Sequence, residues 1–315
     1  MDIGYFLSCE EHTPSELVRG AQLAEQAGFS KAWISDHFHP WNDAEGQAPF
    51  VWAVLGGIAQ ATELHVTTAV TCPTFRIHPV VIAQAAATAA CMFDGRFSLG
   101  VGTGEALNEH VTGLPWPRVA VRQAMLEEAV GIIRRLWQGS QVSVDGKYFA
   151  VDNARIYTLP DTPPDILVSG FGPESTKLAA RIGDGFMTVS PDAEAVRTYR
   201  DEGGQGLVQG GLKVCWRPDA DEARRTAHRL WSHELIPGQF GQDAPTPAHF
   251  EQVSPLVTEE AVADKVVHGP DPQPYVQAIR QYADAGFDEL YIGQMGPDQE
   301  GMIRFLQHEV LPEFR

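Results

Sequence analysis

The sequence predicts an α/β fold, a (β/α)8 TIM barrel, on three observations. Eight short apolar runs alternate with longer helical patterns almost from end to end. Each run is close to continuously hydrophobic, as expected of parallel strands covered on both faces. Polar and glycine-rich residues gather just after the runs, at what would be one rim of a barrel. An open, doubly wound parallel sheet is the alternative, because periodicity alone does not establish closure.

The runs, in order, are Ile3–Leu7, Lys31–Ser35, His65–Val70, Phe97–Gly102, Ile166–Ser169, Gly185–Thr188, Leu212–Trp216 and Glu289–Ile292. The first helix opens on Thr13-Pro14-Ser15-Glu16, with Thr13 as N-cap, Pro14 at N1 and Glu16 at N3, and ends where Gly28 can take a left-handed cap. "MLEEAVGIIRRLW" (Met125–Trp137) places Leu126, Val130, Ile133 and Trp137 on one stripe, a core-facing helix. Two segments interrupt the alternation. Residues 142–151, "VSVDGKYFAV", carry Asp145-Gly146 between alternating runs, a hairpin signal. Residues 232–256 are rich in Pro, Gly and Gln and too long for an ordinary loop, which suits a lid or a substrate-selecting insertion. The whole of 1–315 reads as a single domain carrying these two insertions.

Composition narrows the function. With 23 basic against 41 acidic side chains the net charge is -18, and the chain as a whole lacks the basic footprint that nucleic acids require. No run of 18 or more apolar residues offers a membrane span. The start "MDIGYFLSC" lacks the basic region of a signal peptide. Cys9, Cys72, Cys91 and Cys215 lie far apart with no CxxC pair, as in a reduced cytoplasmic protein. These features exclude no small-molecule substrate.

The rim residues carry the chemistry. Glu10 follows the first strand; Asp36, His37 and Trp41 follow the second; Val70, Thr71, Cys72 and Pro73 follow the third. "GTGEALNEH" (Gly102–His110) follows the fourth and "SGFGP" (Ser169–Pro173) the fifth. The glycines of "GVGTGEALNEH" are spaced GxGxG, which is not the dinucleotide fingerprint GxGxxG. They suit either a tight turn ahead of a capped helix or a backbone that approaches a flat cofactor, with Glu105 projecting into the pocket. "SGFGPES" reads as strand, turn and helix start, where free N–H groups can hold a phosphate. His37 and His39, two apart, fit a metal pair that lacks a third ligand at a typical spacing, a capped loop, or a proton-transfer site. In the last, His37 is a base and Asp36 orients it or contacts a cofactor.

Taken together, "SDHFHPW", "TCPTFRIHPVVIAQAAAT", "GRFSLGVGTGEALNE" and "AARIGDGF" resemble the bacterial luciferase-like superfamily. More narrowly, they resemble its coenzyme F420-dependent branch around F420-dependent glucose-6-phosphate dehydrogenase. The resemblance runs through nearly the whole chain and implies a TIM barrel, usually a homodimer, with a deazaflavin at the C-terminal rim. It implies that His37 takes the alcohol proton while hydride leaves for C5 of the ring. Trp41 would wall the substrate, Glu105 would act at N1 of the reduced cofactor, and Glu10 would be a further active-site acid. Asp36, His37, Ala69, Val70, Cys72 and Gly104 would line the cofactor, with a non-prolyl cis peptide at Ala69–Val70. Leu107, Asn108, Ser169, Gly170, Phe171 and Gly172 would hold its ring edge and phosphate tail. No metal is implied.

Sugar-phosphate-oxidising relatives hold the substrate phosphate with Lys and Arg. At the corresponding places this chain offers Asp192, a cation-free "PGQFGQD", and Asp264 beside Lys265. The expectation is therefore F420-dependent hydride transfer with a carbinol or carbonyl substrate that is not a sugar phosphate. An FMN-dependent oxidoreductase or monooxygenase of the same superfamily is the alternative, and a non-catalytic binding barrel a distant third.

Overall fold

A computed structural model describes residues 1–314. Among the described residues ten strands occur in chain order: β1 (Asp2–Leu7), β2 (Lys31–Ile34), β3 (His65–Thr68), β4 (Phe97–Val101), β5 (Val142–Asp145), β6 (Ala150–Ala154), β7 (Ile166–Ser169), β8 (Gly185–Thr188), β9 (Val208–Val214) and β10 (Glu289–Gln294). Eight of them close into a parallel barrel in the order β1-β2-β3-β4-β7-β8-β9-β10. Closure is direct: Tyr5 of β1 pairs with Ala32 of β2 on one side and with Ile292 of β10 on the other. β5 and β6 form a separate antiparallel hairpin. The fold is thus the (β/α)8 barrel, not the open sheet.

The barrel interior is packed, as small parallel barrels require. Trp33 and Tyr291 stack at 4.7 Å between ring centroids, 11° from parallel. Phe6, Leu167 and Met187 complete that layer. Below it the Trp33 indole N–H donates to Gln209 Oε1 (2.8 Å), Gln209 Nε2 donates to Glu289 Oε2 (2.7 Å), and Lys31 pairs with Glu289. Each of these named polar groups has a partner that compensates for lost water. The upper layer, at the C-terminal end, is where the rim residues gather.

One strand lies elsewhere than the run that predicts it. The expectation of Leu212–Trp216 is shifted, since β9 runs Val208–Val214 and contains Gly210-Gly211. Glycines dilute the apolar signal, but the structure shows why they are there. A Cβ on Gly211 would sit 2.7 Å from the Trp33 ring, and one on Gly210 2.7 Å from the Tyr282 ring. Large aromatics use the space on both faces of the strand.

Helices cover the outside of the barrel. Pro14–Gln26 begins with a complete capping box, in which Glu16 Oε2 accepts from the Thr13 N–H (2.9 Å) and Thr13 Oγ1 accepts from the Glu16 N–H (3.4 Å). Gly28 beyond its end has φ +96°. The helix expected at Met125–Trp137 begins earlier, at Val119, and ends at Leu136. The insertion at 232–256 is a chain of short helical turns, including Phe240–Asp243 and Pro247–Val253, seated on the rim. Its Phe250 is fully buried. Among the described residues no helix is long and apolar enough to cross a membrane.

Candidate active site

The residues predicted after the first, second and fourth strands meet at the C-terminal rim. His37 is held from both ends. Its Nε2 lies 3.3 Å from Glu10 Oε1, and its Nδ1 lies 3.0 Å from the His39 carbonyl and 3.2 Å from Asn108 Nδ2. The carbonyl only accepts and the amide nitrogen only donates, so the two compete for Nδ1. With Nδ1–H donating to His39, Nε2 carries the lone pair, beside a carboxylate that would stabilise the imidazolium once a proton arrives.

Glu10 is almost fully buried, and its Oε2 accepts from Ser8 Oγ (2.9 Å) and Ser35 Oγ (2.5 Å). Burial alone would raise its carboxyl. The charges of His37 and Lys213 and the Ser35 hydroxyl outweigh that and hold it at about 2. Ser35 also accepts from the Cys9 N–H (2.9 Å), which fixes the loop after β1 against the end of β2.

Asp36 does not orient His37. Its Oδ1 accepts from Arg76 Nη2 (2.7 Å) and its Oδ2 from Thr71 Oγ1 (2.8 Å). Successive residues of an extended segment point to opposite sides, which sends Asp36 and His37 apart. Arg76 also engages Glu109, whose Oε2 accepts from the Arg76 N–H at 2.9 Å. Burial, opposed by Arg76, lifts Glu109 to about 7. Arg76 was not singled out from the sequence, because its partners lie in two other loops.

Asn108 is the hinge of the site. Its Oδ1 accepts from the N–H groups of Phe38 (2.9 Å) and His39 (3.2 Å), and its Nδ2 reaches Glu105 Oε2 (3.3 Å) as well as His37. One buried amide thus links the second and fourth loops. His39 Nδ1 bonds the Leu107 carbonyl (2.8 Å), a structural tie between the same loops. Trp41, nine-tenths buried, is tilted against His37 with ring centroids 5.2 Å apart and stacks on His233 of the insertion. His233, Trp231 and Lys213 are site residues that the sequence reading missed.

The other predicted residues form a shallow cradle beside this group. The Ala69–Val70 peptide is cis. Gly102 passes so close to Val70 that a Cβ would sit 2.7 Å from Val70 Cγ2. Gly104 has φ +75° and faces the buried Cys72, whose Sγ lies 3.0 Å from Thr74 Oγ1. Ser169 ends β7, Gly170 is packed on Ser175, and Phe171 is exposed. Gly172 opens the helix Pro173–Ile182 with nothing within 4 Å of its Cβ position. The first turn of a helix presents unpaired N–H groups, so this end suits an anionic tail and the glycine wall suits a flat ring.

Comparison with known proteins agrees with this geometry. A family model described as luciferase-like monooxygenase matches residues 1–289. The chain belongs to the luciferase-like family. It is 35% identical to the F420-dependent glucose-6-phosphate dehydrogenase of Beutenbergia cavernae, over 99% of this chain and 97% of that protein. It is 36% identical to the enzyme of the same name from Microbacterium testaceum, with the same coverage. Among solved structures, an F420-dependent secondary alcohol dehydrogenase in complex with an F420-acetone adduct superposes with TM-score 0.92 at 32% identity, over 100% of this chain and 99% of that one. Solved structures below 25% identity, such as the coenzyme F420-dependent tetrahydromethanopterin reductase of Methanopyrus kandleri (20%, TM-score 0.79), speak for the fold alone.

Proposed function

We propose that this member of the family is a coenzyme F420-dependent oxidoreductase that interconverts a small, non-phosphorylated secondary alcohol and its ketone. The observation that carries this reading is the end-to-end likeness, in sequence and fold, to an alcohol dehydrogenase bound to an F420-acetone adduct. The residues present fit the cofactor: a glycine-walled cradle for a flat ring and an open helix start for its phosphate.

Bound F420 supplies the hydride acceptor at C5. The remaining work falls to the chain. Hydride leaves a carbinol carbon only as the O–H proton departs, so a base has to stand beside the ring. His37 Nε2 takes that proton, and Glu10 stabilises the resulting cation. Asn108 fixes the imidazole from the other side. Glu105, half-buried and held by the same amide, would offset charge on the reduced ring of the bound cofactor. Trp41, Trp231 and His233 wall the substrate side, with the buried Phe250 packed behind Trp41 and His233. Asp36 and Arg76 support the cofactor loops from beneath.

The substrate class rests on charge. Asp192, where a phosphate-binding cation would stand, uses its Oδ1 to cap the helix Ala193–Asp201 through the N–H groups of Glu194 (2.8 Å) and Ala195 (3.1 Å). Asp264 closes the turn Glu259–Ala263. A dianionic phosphate would meet carboxylates at both places.

We place the enzyme in the cytoplasm, where its four free cysteines stay reduced. It acts there as a homodimer. In a chain of net charge -18, the adjacent helices Val51–Ala61 and Pro79–Met92 carry no charged side chain, and Val81 and Met92 are exposed on the second. Two such faces meet without repulsion. Light scattering at micromolar concentration should give twice 34.4 kDa.

Mixing the protein with oxidised F420 and 2-propanol, and following loss of the deazaflavin's visible absorbance, tests the activity. Tight FMN binding without F420 binding would overturn it. Faster turnover of glucose 6-phosphate than of 2-propanol would overturn the substrate class.

A further inference from the structure

Lys213 leaves β9 toward the mouth of the barrel, its Nζ 3.9 Å from the centroid of the Trp231 ring and 5.6 Å from that of Phe6. It lies 3.4 Å from Ser8 Oγ, Ser8 donates to Glu10 Oε2 at 2.9 Å, and Glu10 Oε1 stands 3.3 Å from His37 Nε2. The direction of this chain is fixed. An ammonium only donates, so Ser8 accepts from Lys213 and gives its own hydrogen to Glu10. A partly buried cation is thereby wired, through Ser8 and Glu10, to the Nε2 side of the proposed base.

The surrounding groups single out Glu10 as the partner of that charge. Two other acids, Glu11 and Glu45, feel Lys213, but burial pushes both up toward the neutral form, while the Glu234 side chain is exposed to solvent. The two histidines within its reach, His12 and His233, are pushed down and stay neutral, again through burial. On the opposite side of His37, Glu105 is screened by the Asn108 amide that lies between them. Lys213 is therefore already matched and solvated by an aromatic face, which leaves it a poor anchor for a substrate anion.

We propose that Lys213 is a positioning residue for the reaction, acting through Ser8 to fix Glu10 as a carboxylate and to offset Glu10's pull on His37, so that His37 is free to accept the substrate's proton. This rests on the reading of His37 as the base. An uncompensated carboxylate at this distance in a buried site would favour the imidazolium, which has no lone pair to offer. The cation restores balance without touching the substrate.

The test is an NMR titration of the His37 imidazole in the full-length protein without cofactor, its signal assigned by loss in His37→Gln. The same variants are then followed as kcat/KM against pH with F420 and 2-propanol. Lys213→Met should raise the His37 midpoint by about one unit, Glu10→Gln should lower it by a similar amount, and Lys213→Arg should hold it near native. If Lys213→Met unfolds, Lys213→Gln makes the same comparison. An unmoved midpoint in folded Lys213→Met or Lys213→Gln overturns the proposal. So does a KM rise confined to anionic alcohols with no change in midpoint, which would mark an anion subsite. A shifted midpoint that the pH–rate profile fails to follow leaves the Lys213–Glu10–His37 coupling intact and removes His37 as the base.

Discussion

The indole of Trp41 lies flat on the imidazole of His233, with ring centroids 5.2 Å apart and planes inclined by 21°. Trp41's ring also faces His37, at 5.2 Å and 59°. The insertion therefore reaches the proposed base through a single indole. Glu45 Oε2 accepts from the Trp41 N–H at 2.7 Å and steadies that position.

His233 is held at about 3, because burial disfavours its charged form and Lys213 and His37 add repulsion. Its folded pKa lies below its unfolded value, so its contribution to stability is present above about pH 6.5 and is lost as pH falls toward 3. His233→Phe keeps an aromatic ring on Trp41 and removes the titration. Relative to native, the variant should gain stability on acidification below pH 6.5, by at most about 1.4 kcal/mol per pH unit. Urea unfolding at pH 7 and pH 5 checks it, and a difference independent of pH would contradict the assignment.

His37→Ala should lower kcat/KM for alcohol oxidation by roughly 10²–10⁴-fold, the usual range for a positioned base. F420 affinity should fall far less than turnover, because most of the cradle lies on the third, fourth and fifth loops. Absorbance-based turnover and a fluorescence titration of the cofactor separate the two. Full turnover in a variant that still binds F420 would remove the assigned role.

Arg76→Met should leave Asp36 buried without its cation and should also strip the charge from beside Glu109. Breaking a buried pair of this kind costs about 3–5 kcal/mol. Denaturant unfolding should register most of that loss. A change below about 1 kcal/mol would mean that Thr71 alone satisfies Asp36.

Gly104→Ala places a Cβ 2.8 Å from Cys72 Sγ and 2.9 Å from Glu109 Cγ, on a backbone with φ +75°. Side chains rarely tolerate that conformation, so the loop should shift. The expected result is a stability loss of about 1–2 kcal/mol together with weaker F420 binding, read by thermal melting and cofactor titration.

The barrel was legible because its signal is local. Apolar runs, the Thr13 capping box and Asp145-Gly146 each act over a few neighbours. The strand through Gly210-Gly211 was displaced in the reading because its shape answers to Trp33 and Tyr282, far away in sequence. The same distinction divides the site. His37, Trp41 and Glu105 stand in recognisable motifs. Asn108 and Arg76 lie in such motifs too, and Glu10 follows the first strand, but which of them partners His37 or Asp36 was not legible: they come from three different loops, and proximity in sequence pointed to Asp36 beside His37. Lys213 and His233 sit in stretches with no motif, and only closure of the barrel brings them to the mouth.

The insertion covers Trp41 with Phe250 and His233 but contributes no strand to the barrel. On the proposed reading, part of the substrate wall, His233 with Phe250 behind it, is thus encoded apart from the loops that carry His37, Trp41 and Glu105. Such a segment behaves as an exchangeable cassette: recombination or mutation confined to it can rewrite substrate choice while the redox machinery is inherited intact. A lineage built this way diversifies its substrates without rediscovering its chemistry.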